Sequence, residues 1–173
     1  MAVIMVDVES DGPIPGDYSM ISFGAVIVDD ALDKTFYGKL KPISGNWIPD
    51  ALKVSGYSRE ETLRFEEAAT VMAEFQKWIN NNSKSRPLFF SDNNGFDWQF
   101  INWYFIHFLK ENPFGFSSTN LGSLYKGIEK DMFKNFKHLR KTKHTHNPVD
   151  DAMGNAEALL YMKNKLGFKI SLK

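Results

Sequence analysis

Asp7 and Glu9 stand two residues apart near the C-terminal end of an apolar run made of Ala2, Val3, Ile4, Met5, Val6 and Val8. Such a run, rich in β-branched residues, forms a central strand covered on both faces. The pleat repeats every two residues, so both carboxylates project from the same face. Side by side at the end of a buried strand, they repel each other and resist desolvation unless something positive lies between them. A divalent cation meets that need. Two further acids occupy comparable places: Asp97 follows a short strand and a polar turn at the start of a helix, and Asp151 lies in the first turn of the last helix, five residues after His146. Ligands at a strand end and at two helix starts can converge above one edge of an open α/β sheet. Oxygen-only ligands favour Mg²⁺ or Mn²⁺ over zinc. Four carboxylates can hold two such ions about 3.5–4 Å apart, an arrangement suited to phosphodiester cleavage.

The elements that must position these residues follow from the patterning. Ser10-Asp11-Gly12 breaks the first strand into a turn, Met20–Val28 reads as a second buried strand, and Thr35–Leu40 as a third. Short links between the three give an antiparallel meander. Ile43–Arg59, with Gly45, Pro49 and Gly56, reads as irregular. From Glu60 the period changes, and Leu63, Ala68, Val71, Met72, Phe75, Trp78 and Ile79 share one helical face up to Asn80-Asn81-Asn82. Pro87–Ser91 is a fourth strand, Asp97 to about Lys110 a well-buried helix, Phe114–Ser118 a short fifth strand, and Leu121–Ile128 a short helix. Pro148 suits the first turn of a final helix that runs to Gly167. The order βββ-α-β-α-β-α predicts an α/β sheet with three antiparallel strands first and parallel additions later.

At 173 residues the chain suits one domain spanning 1–173, with no internal repeat or linker. Lys+Arg and Asp+Glu both number 21, so no global field steers it toward nucleic acid or membrane, and any such preference must be local. The absence of cysteine excludes disulfides and thiolate zinc sites. No signal-length or membrane-length apolar segment is present, and the expectation is a cytoplasmic protein without membrane partners.

Asp7-Val8-Glu9, Asn93-Asn94-Gly95-Phe96-Asp97 and His146-Asn147-Pro148-Val149-Asp150-Asp151-Ala152 resemble the three motifs of the DEDD exonuclease superfamily. The step from His146 to Asp151 is similar to that of the DEDDh branch, which includes ribonuclease T, oligoribonuclease and the proofreading subunit of DNA polymerase III. Pro49–Leu63 and Phe116–Tyr125 also resemble stretches of those enzymes. The resemblance implies a ribonuclease H-like mixed five-stranded sheet flanked by helices. It also implies metal-dependent 3′→5′ removal of nucleoside 5′-monophosphates from single-stranded DNA or RNA. By matching position, Asp7, Glu9, Asp97 and Asp151 would be ligands of two divalent cations, Mg²⁺ or Mn²⁺. His146 would be the general base that deprotonates the attacking water, since a histidine titrates near neutrality. Relatives of this kind dimerise or serve polymerase and repair partners. Asp92 and Asn93 stand where many relatives have His-Asn, and Pro148 where many have a small residue; neither change removes a ligand.

Other residues read less specifically. Asp150 is expected to cap the last helix or face its positive end, and Asp11 and Asp92 to be turn residues. His107 reads as a packed histidine, while His138 and His144 flank a basic run and would approach phosphate. Lys134, Lys137, Arg140, Lys141 and Lys143 form that run, read either as a solvated loop or as a mobile phosphate-contacting loop that carries His146. Phe23, Tyr57, Phe96 and Trp98 are aromatic residues near the motifs; Phe23 and Phe96 read as core, and Tyr57, in a loop, is the better base-stacking candidate. Candidate substrate contacts are therefore Ser10, Tyr57, Asn93, Lys141 and Lys143. Rival readings are an endonuclease on the same fold, a catalytically idle nucleic-acid-binding or polymerase-associated module, and a structural Ca²⁺ site. No EF-hand loop supports the last.

Overall fold

The computed structural model describes residues 1–172. Strands β1 (Val3–Ser10), β2 (Met20–Ile27) and β3 (Thr35–Lys39) form the antiparallel meander. β4 (Leu88–Ser91) and β5 (Ser118–Asn120) add in parallel on the other side of β1, giving the order β3-β2-β1-β4-β5. This is the mixed sheet expected from the order of elements, with β1 at its centre.

Helices α1 (Pro49–Val54), α2 (Arg59–Thr62), α3 (Ala68–Asn82), α4 (Asn94–Tyr104), α5 (Leu121–Glu129) and α6 (Pro148–Lys165) flank the sheet. The two faces of β1 divide the core. Ile4, Val6 and Val8 pack with Phe23, Phe75, Phe100 and Tyr104 under α3 and α4. Val3 and Met5 pack with Val26, Phe90, Ala152, Ala156 and Leu159 under α5 and α6. Asp7 and Glu9 continue the second face toward the end of the strand. No described helix is long and apolar enough to cross a membrane.

Four boundaries differ from the sequence expectation. The segment read as irregular contains α1, begun by Pro49 at its first turn and tied to the end of β1 by a hydrogen bond from the Ile48 amide to the Asp11 carbonyl. The helix expected from Glu60 is interrupted. A reciprocal Ser58–Glu61 capping box starts α2, and Glu66 then runs extended beside Leu40, its carbonyl accepting from the Lys41 amide at 2.8 Å. That edge contact prevents a helix from passing through, and it leaves Leu63 half exposed, off the apolar face. α4 begins at Asn94, whose side chain bonds Ser91, Ser118 and Thr119, and it ends in a wider turn over Phe105–Leu109. β5 lies at Ser118–Asn120, because Phe114 is drawn into the core against Phe89 and Phe105.

One close approach governs how α6 reaches the sheet. A Cβ built on Gly24 of β2 would lie 2.3 Å from the Pro148 carbonyl group and 2.4 Å from the Val149 nitrogen. Gly24 pairs directly with Asp7 in the β1–β2 ladder. The missing side chain thus seats the first turn of α6 on the sheet beside Asp7. Gly127, exposed on α5, meets nothing within 4 Å. Gly24→Val should therefore lower stability by at least about 2 kcal/mol through overpacking. Gly127→Ala should raise it by about 0.4–1 kcal/mol through the unfolded chain. Denaturant melts of the two variants check both signs; equal effects would contradict the assigned close approach.

Candidate active site

Asp7 and Glu9 are brought to the mouth of the sheet by β1, and Asp151 by the first turn of α6. Ligand oxygens of these three lie within 4.8 Å of one another. Asp97 reaches the same place from α4. β4 pairs with β1 only as far as Met5, so the later amides of β1 on that edge lack a strand partner. The Val8 N–H instead donates to Asp97 Oδ1 at 3.1 Å. Asp97 is buried, and among the described residues its Oδ2 has no hydrogen-bonding partner.

These carboxyls are costly to ionise together. Burial, then the charges of Asp97, Asp151 and Glu9, hold Asp7 well above the usual carboxylate range, while Arg140 opposes them. Burial and Asp151 push Glu9 up to about 7. Burial pushes Asp97 up to about 8, opposed by the nearby Ser91 hydroxyl and by the hydrogen bond from the Val8 amide, with Asp92 and Glu9 adding to the rise. Oxygen-only donors, mutual repulsion and an orphaned buried carboxylate oxygen fit a hard divalent cation.

His146 lies on the loop before α6, with φ +61°, in the left-handed region that histidine tolerates better than most residues. This reversal directs the Thr145 and His146 amides onto Asp151 Oδ1 and Oδ2, at 3.0 and 3.1 Å. The His146 side chain is half exposed, with Nδ1 3.8 Å from Glu9 Oε1. Asn147 caps α6 by accepting from the Val149 amide, while Asp150 lies in the first turn at the helix's positive end, the second of its two expected places, and accepts from the Thr145 hydroxyl. His144, expected to approach phosphate, places Nδ1 2.8 Å from Asp151 Oδ2. His107 stacks on Trp103 at 4.2 Å, and His138 meets the edge of Tyr125.

The basic segment is not a free loop. Glu157 of α6 accepts from the Lys141 and Thr142 amides at 2.7 and 2.8 Å and from the Thr142 hydroxyl at 3.1 Å. Arg140 turns inward, bonding Asp92 at 2.9 Å and lying over the Phe136 ring. Gly154 makes room for it, since a Cβ there would meet the Thr142 carbonyl at 2.9 Å and the Arg140 stem at 3.2 Å. Lys143 is exposed. Lys141 lines a separate groove with Asp30, Leu32, Leu160 and Tyr161. Asn93 is exposed with no side-chain cap bond, and its carbonyl accepts from the Phe96 and Asp97 amides. Asp11 is fully buried and paired with Arg59 at 2.8 Å, which fastens the turn after β1 to the start of α2.

An open cleft of about 390 Å³ adjoins Glu9, walled by Ser10, Gly12, Pro13, Ile48, Ala51, Val54 and Phe96. Ser10 donates to the Gly12 carbonyl at 2.6 Å and so shapes its floor. Phe96 packs on the core beside Phe100, as expected, and its remaining surface is one of the cleft's walls. α1 supplies another, and a six-residue helix carries too few turns for periodicity to reveal. Tyr57 is not among the cleft residues. Its hydroxyl lies 2.8 Å from that of Tyr37, its ring is edge-on to Phe65, and Lys39 lies over both tyrosines.

Residues 4–159 match the RNase T family model, described as exonuclease. The 3′-5′ DNA exonuclease Cap18 of Escherichia coli is 42% identical over 129 residues, which cover 72% of this chain and 68% of that protein. Cell-death related nuclease 4 (CRN-4) superposes with a TM-score of 0.74 at 18% identity, covering 94% of this chain. E. coli Exonuclease I in complex with a dT13 oligonucleotide superposes with a TM-score of 0.76 at 15% identity, covering 96%. The chain spans 64% and 42% of the lengths of those two structures. At such identities they show the fold, which is ribonuclease H-like.

The raised carboxyls predict how the metal-free protein responds to pH. A folded-state value above the ordinary one means that the folded chain binds more protons, so stability is present at low pH and is lost as pH rises. The window runs from the ordinary 4.5 of Glu9 and 3.8 of Asp97 up to about 7 and about 8. In the presence of a chelator, Asp97→Asn should therefore melt progressively higher than the parent chain as pH is raised through that window, since asparagine keeps the acceptor for Val8 without the charge. A difference that does not grow with pH would contradict the assignment.

Proposed function

The chain belongs to the RNase T exonuclease family, and from that premise we propose that it removes nucleotides from the 3′ ends of single-stranded DNA. The observation that carries this reading is the convergence of Asp7, Glu9 and Asp151 within 4.8 Å, with Asp97 behind them on the Val8 amide. These four residues would hold two divalent cations, Mg²⁺ or Mn²⁺, which would supply Lewis acidity toward the scissile phosphate. DNA is favoured over RNA by the 42%-identical relative, whose name specifies DNA.

His146 takes the proton from the attacking water and, being half exposed, passes it on to solvent. Glu9, 3.8 Å from Nδ1, stabilises the imidazolium that results. Asp151, gripped by the Thr145 and His146 amides, fixes the histidine loop relative to the carboxylates. Arg140 contributes positive field to Asp7 without leaving its pair with Asp92. The cleft beside Glu9 takes the terminal base between Phe96 and the Ala51–Val54 wall, and stacking with apolar contact there needs no base-specific hydrogen bond. Ser10 lines the cleft, Asn93 stands at the head of α4, and Lys143 offers a charge to backbone phosphate.

Matched DNA and RNA oligomers carrying 3′ or 5′ labels test the reading with Mg²⁺ and with Mn²⁺. The 3′ label should be released first as a mononucleotide, the 5′-labelled strand should shorten stepwise, and circular single-stranded DNA should survive. Cutting of the circle would favour an endonuclease. Asp7→Ala should reduce turnover to background while the chain remains folded, and retained activity would defeat the metal role. His146→Ala should slow hydrolysis by about 10²–10⁴ with metal binding kept. Ala51→Trp should raise KM more than it lowers kcat, and an unchanged KM would remove the base from the cleft.

A further inference from the structure

We propose that His144, His146 and Asp151 form a second cation site that takes a first-row transition metal, zinc foremost, and that its occupation shuts the active site down. One nitrogen of each imidazole and a carboxylate oxygen of Asp151 all lie within 4.8 Å of one another. His144 Nδ1 is already 2.8 Å from Asp151 Oδ2, and the two rings stand 4.4 Å apart at 69°. Ligands about 2.0–2.2 Å from a tetrahedral zinc lie about 3.3 Å from one another. Closing from the observed spread falls to the two imidazoles, whose side chains are 51% and 52% exposed. Asp151 is the fixed point of the triad, held by the Thr145 and His146 amides. The left-handed turn at His146 brings both histidines to the same carboxylate, although they are only two residues apart.

The donor set distinguishes this triad from the carboxylates beside it. Imidazole nitrogen suits zinc, copper and nickel, whereas oxygen-only ligands suit magnesium and manganese. Two nitrogens and one carboxylate match a three-ligand zinc site with an open fourth position. Asp151 belongs to both triads, the other being Asp7, Glu9 and Asp151. A metal on the histidine side therefore competes for a carboxylate that the hard cations need. It also occupies a nitrogen lone pair of His146, the proton acceptor in the proposed reaction. The inhibitory effect rests on the exonuclease reading; the binding site does not.

Calorimetric titration of the whole chain with zinc chloride, in millimolar Mg²⁺, reads binding directly. One zinc should bind per chain with a rise in melting temperature. His144→Gln keeps an amide able to donate to Asp151 but removes a zinc ligand, and it should weaken that affinity by at least about tenfold. His138→Gln, at a histidine outside the site, should bind as the parent does. Asp7→Asn, at a carboxylate outside the triad, should retain His144-dependent binding. In the oligomer assay, zinc at its calorimetric Kd should inhibit the parent and inhibit His144→Gln at least about tenfold less readily. Undiminished zinc affinity in His144→Gln would overturn the site, and equal inhibition of both proteins would overturn its effect on turnover. If zinc binds through His144 but the parent digests no oligomer in Mg²⁺ alone, the exonuclease reading fails and the zinc site stands.

Discussion

A side chain on residue 24 would collide with the backbone of Pro148 and Val149, and the geometry of the site depends on that space being empty. β1 and α6 lie at opposite ends of the chain, yet Asp7 and Asp151 must come within a few ångströms of each other. Gly24 is the ladder partner of Asp7, so the point where the helix touches the sheet lies beside the first carboxylate. The apolar residues of α6, from Ala152 to Met162, then pack on Val3, Met5 and Val26 and fix the direction of the helix axis. Burial along the helix thus sets the position of its first turn, and that turn carries Asp151.

The remaining parts of the site are held by groups that the sheet and α6 leave unsatisfied. Because β4 stops short, the Val8 amide is free to hold Asp97. Because Glu157 faces the chain entering α6, it ties down the Lys141 and Thr142 amides and limits where the histidine loop can go. Arg140 is enclosed between Asp92, Phe136 and Gly154, a buried cation next to a cluster of buried carboxyls. Unpaired charge in such a place is costly. The site accepts that cost at Asp97, whose Oδ2 has no partner among the described residues, and a divalent cation would relieve it.

Much of this could be read from the chain itself, because it rests on short-range pattern. The alternation in β1 fixed the shared face of Asp7 and Glu9, and Pro148 marked the start of α6. What escaped is what depends on distant partners. The helix anticipated from Glu60 fails because Glu66 pairs with Leu40 across the sheet edge, a contact that no local window contains. Arg140 looked like its solvated neighbours Lys137 and Lys141, yet it turns inward because Asp92 and Gly154 meet it there. The cleft escaped because α1 is too short for periodicity, and because a core residue such as Phe96 gives no sign in sequence that its other side is a wall. His144 meets Asp151 beside the left-handed turn at His146 while His138 packs on Tyr125, a distinction that a residue list does not reveal.

The central claim is that the fold gathers carboxyls whose ionisation is unfavourable until a divalent cation joins them. The most direct measurement is the melting temperature of the whole chain with and without Mn²⁺ at several pH values. The gain from Mn²⁺ should be large at pH 8, where Glu9, held up to about 7, is ionised and Asp97, held up to about 8, is partly so; it should shrink toward pH 5 and vanish in Asp7→Asn. A melting temperature at pH 8 that does not respond to Mn²⁺ would contradict the account.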